Sequence, residues 1–137
     1  MKRLAIVGGR DFNNEELMSE YVAMFMRNYQ EDEMEIPDIE IISGGAKGAD
    51  SLGAKLALVW DVPVTVFKPE WDKYGKSAGF LRNQTIVDKC DMVLAFWDGM
   101  SRGTADTIEK AKRSRKPTFI VYYENPKPVV PKPMKGL

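Results

Sequence analysis

Short apolar runs alternate with amphipathic stretches along the chain. Each run is four or five residues long, which is a usual length for a strand buried in a sheet. Between the runs, apolar residues recur three or four positions apart, which is the spacing of a helix with one buried face. The predicted strands cover residues 4–7, 39–42, 64–67, 92–96 and 118–122. The predicted helices cover residues 13–29, 50–60, 78–89 and 103–115, with Asn13 as the cap of the first.

The order of these elements predicts the fold class. Strand and helix alternate through five strands with short links, which indicates an α/β fold with a parallel sheet covered on both faces. This single domain covers residues 1–123, and residues 68–77 are expected to form a loop within it. Residues 124–137 contain four prolines, so we expect an extended tail on the surface.

Charge and side-chain chemistry narrow the function classes. The 20 Lys and Arg residues balance the 20 Asp and Glu residues. A whole-surface attraction to DNA or to an anionic membrane is therefore not expected, although the balance allows a local basic patch. Histidine is absent, which excludes Ser-His-Asp and Cys-His catalysis. Cys90 is the one cysteine, so the chain has no intramolecular disulfide and no paired-cysteine metal site.

The chain carries no sign of membrane insertion or export. No apolar run approaches the roughly 20 residues of a membrane-spanning helix. The basic start Met1-Lys2-Arg3 leads into an apolar run that is too short for a signal peptide. We therefore expect a cytoplasmic protein with no membrane partner.

Three loops that follow predicted strands are polar and rich in glycine. They read GGRDF at residues 8–12, SGGAKGAD at 43–50 and WDGMSRGT at 97–104. Ligands of open parallel sheets bind beyond the carboxyl ends of the strands, and helix N-termini there attract phosphate. The second loop matches neither the P-loop pattern nor the dinucleotide fingerprint. Each loop alone could also be a tight turn or a helix cap. The prediction of a ligand site therefore depends on the placement of all three loops at the same edge of the sheet.

A fourth segment, residues 69–83, adds an arginine and several aromatic residues to the same edge. Trp71 and Tyr74 are candidates to stack on a base, or else form a small core under the loop. Arg10 and Arg82 are candidates to pair with phosphate, and the alternative for Arg82 is a surface cation. The predicted ligand- or phosphate-binding residues are Gly8, Gly9, Arg10, Asp11, Phe12, Ser43, Gly44, Gly45, Ala46, Lys47, Gly48, Asp50, Trp71, Tyr74, Arg82, Asn83, Trp97, Asp98, Gly99, Ser101, Gly103 and Thr104.

Four motifs in combination resemble the YspA-type branch of the SLOG superfamily, which occurs in bacteria and their phages. They are GGRDF, SGGAKGAD, AGFLRN at residues 78–83, and AFWDG at 95–99 followed by SRGT at 101–104. The resemblance spans about residues 3–122. It implies a Rossmann-like three-layer α/β/α sandwich with strand order 3-2-1-4-5. It also implies that the loops after residues 7, 42 and 96 surround one pocket.

Two better-known branches of the superfamily suggest alternative functions for this chain. LOG phosphoribohydrolases cleave a base from a nucleoside monophosphate with a P-G-G-x-G-T-x-x-E motif. Gly103 and Thr104 match its phosphate-binding Gly-Thr, whereas Thr107 stands at the position of its catalytic Glu. DprA proteins load recombinase on single-stranded DNA and share the loop at residues 43–50, but the His that usually follows is absent here.

The leading hypothesis is a module that binds a nucleotide or nucleotide-derived ligand, as a sensor or signalling protein. The first alternative is a hydrolase of a nucleotide N-glycosidic bond, LOG-like or NAD-cleaving, with Asp98 as the first catalytic candidate and Asp50 or Asp11 as the second. The second alternative is DprA-like binding of single-stranded DNA. A nucleotide is the expected ligand, no metal site is predicted, and self-association and catalytic activity are left open.

Overall fold

The computed structural model describes residues 2–28 and 38–124. Within them, the strands are β1 Lys2–Gly8, β2 Ile39–Ser43, β3 Val64–Val66, β4 Met92–Trp97 and β5 Thr118–Tyr122. The helices are α1 Glu15–Asn28, α2 Ala49–Val59, α3 Trp71–Tyr74, α4 Ala78–Lys89 and α5 Arg102–Arg113. A 3-10 turn, Gly75–Ser77, joins α3 to α4. The predicted extended tail, apart from its first residue Glu124, lies outside the described residues.

The five strands form one parallel sheet in the order β3-β2-β1-β4-β5. This confirms the predicted parallel sheet and the strand order that the family resemblance implied. β1 lies in the middle, where Leu4 is in register with Ile41 of β2 and with Met92 of β4. The chain order reverses between β1 and β4, which is the place where ligand crevices open in sheets of this kind.

Helices cover both faces of the sheet, which confirms the three-layer sandwich. Successive strand residues point to opposite faces, so Leu4 and Ile6 pack in the core cluster beneath α1 and α2. Ala5 and Val7 pack in a second cluster beneath α4 and α5. Among the described residues, no helix has the length and apolar character needed to cross a bilayer.

The cap of the first helix lies one residue later than the sequence predicts. Asn14, rather than Asn13, is the cap, because its side-chain oxygen accepts the backbone N–H of Leu17 at 3.1 Å. Two adjacent asparagines offer the same capping chemistry, and only the path of the chain out of the preceding loop selects between them. Tyr29, the last residue of the predicted helix, lies outside the described residues.

The predicted loop at residues 68–77 contains the short helix α3 and the 3-10 turn. The carbonyl oxygen of Glu70 accepts the backbone N–H groups of Lys73 and Tyr74 at 3.1 and 3.0 Å. One turn of helix is too short to show a 3.6-residue periodicity, which is why the hydrophobic pattern does not reveal it. The turn presents Trp71 and Tyr74 on the surface near the carboxyl edge of the sheet.

We predict that Leu94→Ala destabilises the fold, because the side chain of Leu94 is fully buried in the sheet. Truncation of a buried leucine removes apolar contacts and leaves a cavity, at a cost of about 2–5 kcal/mol. Urea unfolding of both proteins measures the loss. Leu58→Ala is the matched control, because Leu58 is 75% exposed and its change should stay within about 0.5 kcal/mol. Equal losses in the two variants would contradict the assignment of the core.

Candidate functional site

Hydrogen bonds to backbone carbonyl groups bring the predicted loops together at the carboxyl edge of the sheet. The N–H of Gly9 donates to the carbonyl of Phe96 at 3.1 Å, which joins the loop after β1 to β4. The N–H of Ala49 donates to the carbonyl of Gly9 at 3.2 Å, which joins the same loop to the start of α2. The guanidinium of Arg82 donates to the carbonyl of Gly44 and joins α4 to the loop after β2.

Two glycines of the loop at residues 43–50 allow other parts of the protein to approach closely. Gly48 has a φ of +79°, and a Cβ there would lie 2.6 Å from the carbonyl oxygen of Arg10. A Cβ on Gly44 would lie 2.6 Å from a carboxylate oxygen of Asp50 and 2.7 Å from Nη1 of Arg82. The sequence predicted phosphate contact at this loop, and the structure shows that protein groups also pack closely against both glycines.

Three adjoining cavities lie along this edge. The central cavity, of about 220 Å³, is lined by Val7, Gly8, Arg10, Ala46, Asp50, Arg82, Asn83, Ile86, Ser101, Gly103, Thr104 and Thr107. The cationic cavity, of about 470 Å³, is lined by Arg10, Gly44, Gly45, Ala46, Lys47, Lys68, Pro69, Trp71 and Arg82. The outer cavity, of about 390 Å³, is lined by Phe67, Lys68, Glu70, Tyr74, Ala78, Leu81, Arg82, Gln84 and Thr85. Arg82 therefore contributes to all three.

The central cavity contains a buried carboxyl group, that of Asp50. This residue lies in the first turn of α2 and is 5% exposed. Burial raises the pKa of Asp50 to about 6, although the positive charge of Arg82 and hydrogen bonds from the N–H groups of Ala46, Gly44 and Gly8 act in the opposite direction. Asp50 therefore changes its protonation state just below neutral pH, which is unusual for an aspartate.

The Arg82 side chain is held by a network of hydrogen bonds that links α4 to α5. Its Nε donates to Oδ1 of Asn83 at 3.0 Å, and Nδ2 of Asn83 donates to Oδ2 of Asp106, also at 3.0 Å. The same oxygen of Asp106 accepts Nζ of Lys110 at 2.5 Å. Because Asn83 is buried, this network limits the freedom of the neighbouring guanidinium.

The central cavity has more positive than negative side chains. Arg10 and Arg82 line it together, with Asp50 as the carboxylate among its lining residues. Burial lowers the pKa of Arg82, the charge of Asp50 opposes this effect, and the like charge of Arg10 adds to it. Two guanidinium groups that repel each other across one cavity favour an anion between them.

The start of α5 adds hydroxyl and amide groups to this cavity. Oγ of Ser101 and Oγ1 of Thr104 lie 3.3 Å apart. Ser101 precedes the first helical residue, and its side chain makes no capping hydrogen bond to the helix. The first amides of a helix attract anions, so this turn complements the two arginines.

The position of the LOG catalytic Glu is filled by a buried threonine. Oγ1 of Thr107 donates to the carbonyl of Gly103 at 3.2 Å, and Thr107 lines the central cavity. Glu109, two residues later, is exposed and pairs with Arg113 at 2.8 Å. Neither residue presents a carboxylate to the cavity, so Asp50 is the carboxyl group available there.

Fourteen of the 22 residues predicted from the sequence line one or more of the three cavities. The other eight are Gly9, Asp11, Phe12, Ser43, Gly48, Trp97, Asp98 and Gly99. Several of them support the walls of the site. Phe12 is buried and stacks on Phe96 with 4.6 Å between ring centroids. Oγ of Ser43 donates to the carbonyl of Asp50 at 2.9 Å.

The loop after β4 is also organised by its own side chains. Nε1 of Trp97 donates to the carbonyl of Ser101 at 3.1 Å. Oδ1 of Asp98 accepts the N–H groups of Met100 and Ser101 at 2.9 and 2.8 Å. Oδ1 of Asp11 accepts the hydroxyl of Tyr123 at 2.6 Å. These contacts shape the turn that leads into α5 and anchor the loop after β1.

Sequence reasoning missed Lys68, which lines both the cationic and the outer cavity. Its position directly after the predicted strand at residues 64–67 was the signal that could have revealed it, because ligands bind at that edge. Sequence reasoning also missed the face of α4 formed by Ala78, Leu81 and Thr85, which lines the outer cavity. These residues recur at helical spacing beside Arg82.

Among residues 2–28 and 38–124, no cluster of three His, Cys, Asp or Glu side chains is arranged to bind a metal ion.

Comparisons with known proteins agree with the motifs. The model of the YspA, cpYpsA-related SLOG family matches residues 2–74 of this chain. The Gene 61 protein of Mycobacterium phage D29 is 32% identical to it over 87 residues, which cover 58% of this chain and 68% of the phage protein. No solved structure matches the chain significantly.

We predict that Asp50 makes folding stability depend on pH. A carboxyl group whose pKa rises on folding, here from 3.8 to about 6, binds its proton more tightly in the folded state. Its contribution is therefore fully present below pH 3.8 and is lost as the pH rises through about 6. The free energy of unfolding of the native protein, minus that of Asp50→Asn, should fall by about 3 kcal/mol over this range.

Urea unfolding at a series of pH values measures this difference, in which the effects of the other carboxyl groups cancel. Leu58→Ala is the control, because it removes no titratable group, and its curve should run parallel to that of the native protein. Parallel curves for the native protein and Asp50→Asn would contradict the prediction.

Proposed function

Because the chain belongs to the YspA, cpYpsA-related SLOG family, we propose that it binds a nucleotide or nucleotide-derived ligand at the carboxyl edge of its sheet. The observation that carries this proposal is that Arg10 and Arg82 line one cavity together with the first turn of α5. We further propose that the protein acts as a sensor or signalling module, because Thr107 stands where LOG enzymes have their catalytic carboxylate. We expect it to act in the cytoplasm.

The phosphate of the ligand lies between the two arginines in this proposal. Planar guanidinium groups donate paired hydrogen bonds to phosphate oxygens, and these charged bonds are about twice as strong as neutral ones. The hydroxyls of Ser101 and Thr104 and the first amides of α5 complete the set of donors. The network through Asn83 and Asp106 supports this assignment, because a guanidinium held in place loses less freedom on binding.

The base stacks on Trp71 in this proposal. Trp71 lines the cationic cavity and is 53% exposed, so a broad aromatic face is accessible. The volume of this cavity, about 470 Å³, lies in the range of small-molecule sites. Trp97 is a weaker candidate than Trp71, because Trp97 lines none of the three cavities.

A thermal-shift screen tests the proposed function. The panel holds AMP, ADP, ATP, GTP, NAD, ADP-ribose, cyclic nucleotides and a short oligothymidine. A ligand at 100 times its dissociation constant should add about 2.7 kcal/mol of stability, which raises the melting temperature by several degrees. Stabilisation by the oligothymidine alone would favour single-stranded DNA binding instead. Stabilisation by none of these compounds would reject the proposal for this set of ligands.

We predict that Arg82→Ala weakens binding of the nucleotide identified by the screen by about 10- to 100-fold. Loss of a hydrogen bond to a charged group costs about 1.5–3 kcal/mol, and 1.4 kcal/mol is a tenfold change in affinity. Arg10→Ala should have a similar effect, and because Arg10 is exposed this variant should fold normally. Isothermal titration calorimetry measures both affinities.

Arg113→Ala is the matched control for the two arginine variants. Arg113 is exposed, pairs with Glu109 and lies at the far end of α5, so its loss should leave the affinity unchanged. Equal affinities in Arg82→Ala and Arg113→Ala would remove Arg82 from the site.

A second candidate function, hydrolysis of a nucleotide N-glycosidic bond, is favoured by the buried carboxyl group of Asp50. Its pKa of about 6 suits a general acid near neutral pH. In this reaction water attacks the anomeric carbon, the bond from this carbon to the base nitrogen breaks, and the departing base takes the proton of Asp50. The proton released by the attacking water then restores the carboxyl group of Asp50. Asp98 suits the role less well, because its Oδ1 already accepts two backbone N–H groups.

We predict that any base release depends on Asp50 and not on Asp98. Chromatography of the reaction products would then show free base with the native protein and with Asp98→Asn, but none with Asp50→Asn. The amide in Asp98→Asn keeps the oxygen that accepts the two N–H groups, so the turn should be preserved. Absence of free base from every nucleotide of the panel with the native protein would reject the hydrolase candidate.

A further inference from the structure

We propose that the ligand is a dinucleotide, with two nucleosides joined through phosphates, and that the outer cavity receives the second nucleoside. This inference rests on the proposed function and specifies the ligand class of the same site. Its observation is that the outer cavity and the cationic cavity share Lys68 and Arg82 as a common wall. A ligand that spans both cavities passes this pair of cations. One phosphate of its bridge keeps the place between Arg10 and Arg82, because these two arginines line the cationic cavity together with Lys68.

The shared wall suits the phosphate bridge of such a ligand. Lys68 lies two residues after the end of β3, and Arg82 lies in the first half of α4, so the two cations reach the wall from different parts of the chain. Arg10 and Lys47 extend the positive charge along the cationic cavity, and the set of residues that lines this cavity includes no carboxylate. On the side of the cationic cavity, bridging phosphates next to the wall therefore meet cations and no lining carboxylate.

The chemistry of the outer cavity suits a nucleoside better than a further phosphate. Phe67, Tyr74 and Leu81 provide apolar and aromatic surface. Gln84 and Thr85 add a few polar groups, a combination typical of sites that recognise rings. The cavity also includes the carboxylate of Glu70, which repels a terminal phosphate but accepts hydrogen bonds from ribose hydroxyls or a base amino group.

One short helix supplies an aromatic surface to each cavity. Trp71, at the start of α3, lines the cationic cavity, and Tyr74, at its end, lines the outer cavity. Their exposed fractions are 53% and 44%, so both rings are accessible. The turn is closed by hydrogen bonds to the carbonyl of Glu70, which maintains the offset between the rings. Two rings on the two sides of a cationic wall match two bases on the two sides of a phosphate bridge.

Calorimetric titration of the full chain tests this inference. The probes are ADP and diadenosine diphosphate, together with GDP and diguanosine diphosphate. We expect the dinucleotide to bind at least about tenfold more tightly than the nucleoside diphosphate with the same base, since base–aromatic stacking is worth about a tenfold change or more. Tyr74→Ala should lower the ratio of the two affinities about tenfold, because it removes one face of the outer cavity.

Tyr122→Ala is the matched control, because Tyr122 is 65% exposed on β5 and lines none of the three cavities. It should leave the affinity ratio unchanged. Equal affinities for the dinucleotide and the nucleoside diphosphate would overturn the inference and leave the proposed function intact. A ratio unaffected by Tyr74→Ala would overturn the role of the outer cavity. Failure of all four probes to bind would overturn the inference, and the screen of the wider panel would decide the proposed function separately.

Discussion

The pairing of β1 with β4 is the interaction on which the rest of the structure depends. Leu4 to Gly8 run in register with Met92 to Phe96, and this pairing creates the reversal in strand order at the centre of the sheet. The loop after β1 leads to α1 on one face of the sheet and the loop after β4 leads to α5 on the other, which opens a crevice between the two strands. The starts of α2 and α5 line this crevice. The strands on either side complete the sheet, and the helices cover its two faces.

Burial of charged groups at this crevice lowers the free energy of unfolding, and the rest of the fold must offset this loss. Asp50 is buried in the first turn of α2 at the cost of a raised pKa, and Arg82 is partly desolvated next to Arg10. Gly44 separates the carboxylate from the guanidinium, and a side chain at that position would meet both. Perturbed pKa values cluster at functional sites, and the shifts of Asp50 and Arg82 occur at the site proposed for the ligand.

Much of the fold could be predicted from the sequence, because buried apolar residues follow the pattern typical of each strand or helix. The runs at residues 4–7 and 92–96 lie inside β1 and β4, and the amphipathic stretches coincide with the long helices. The prediction was weakest where the structure depends on a few local hydrogen bonds. It missed the single turn of α3 and selected Asn13 instead of Asn14 as the cap of α1, since neither feature has a period to detect.

The sequence by itself determined the alternation of strands and helices and the placement of glycine-rich loops at one edge, because these features depend on residue type and spacing within short segments. The tertiary structure alone decided which side chains face the cavities. Phe12 and Trp97 support the walls whereas Trp71 lines a cavity. It also decided that Asp50 is buried and that Arg82 contributes to all three cavities. Side-chain direction, desolvation and charge pairing depend on residues far apart along the chain, and only folding brings those residues together.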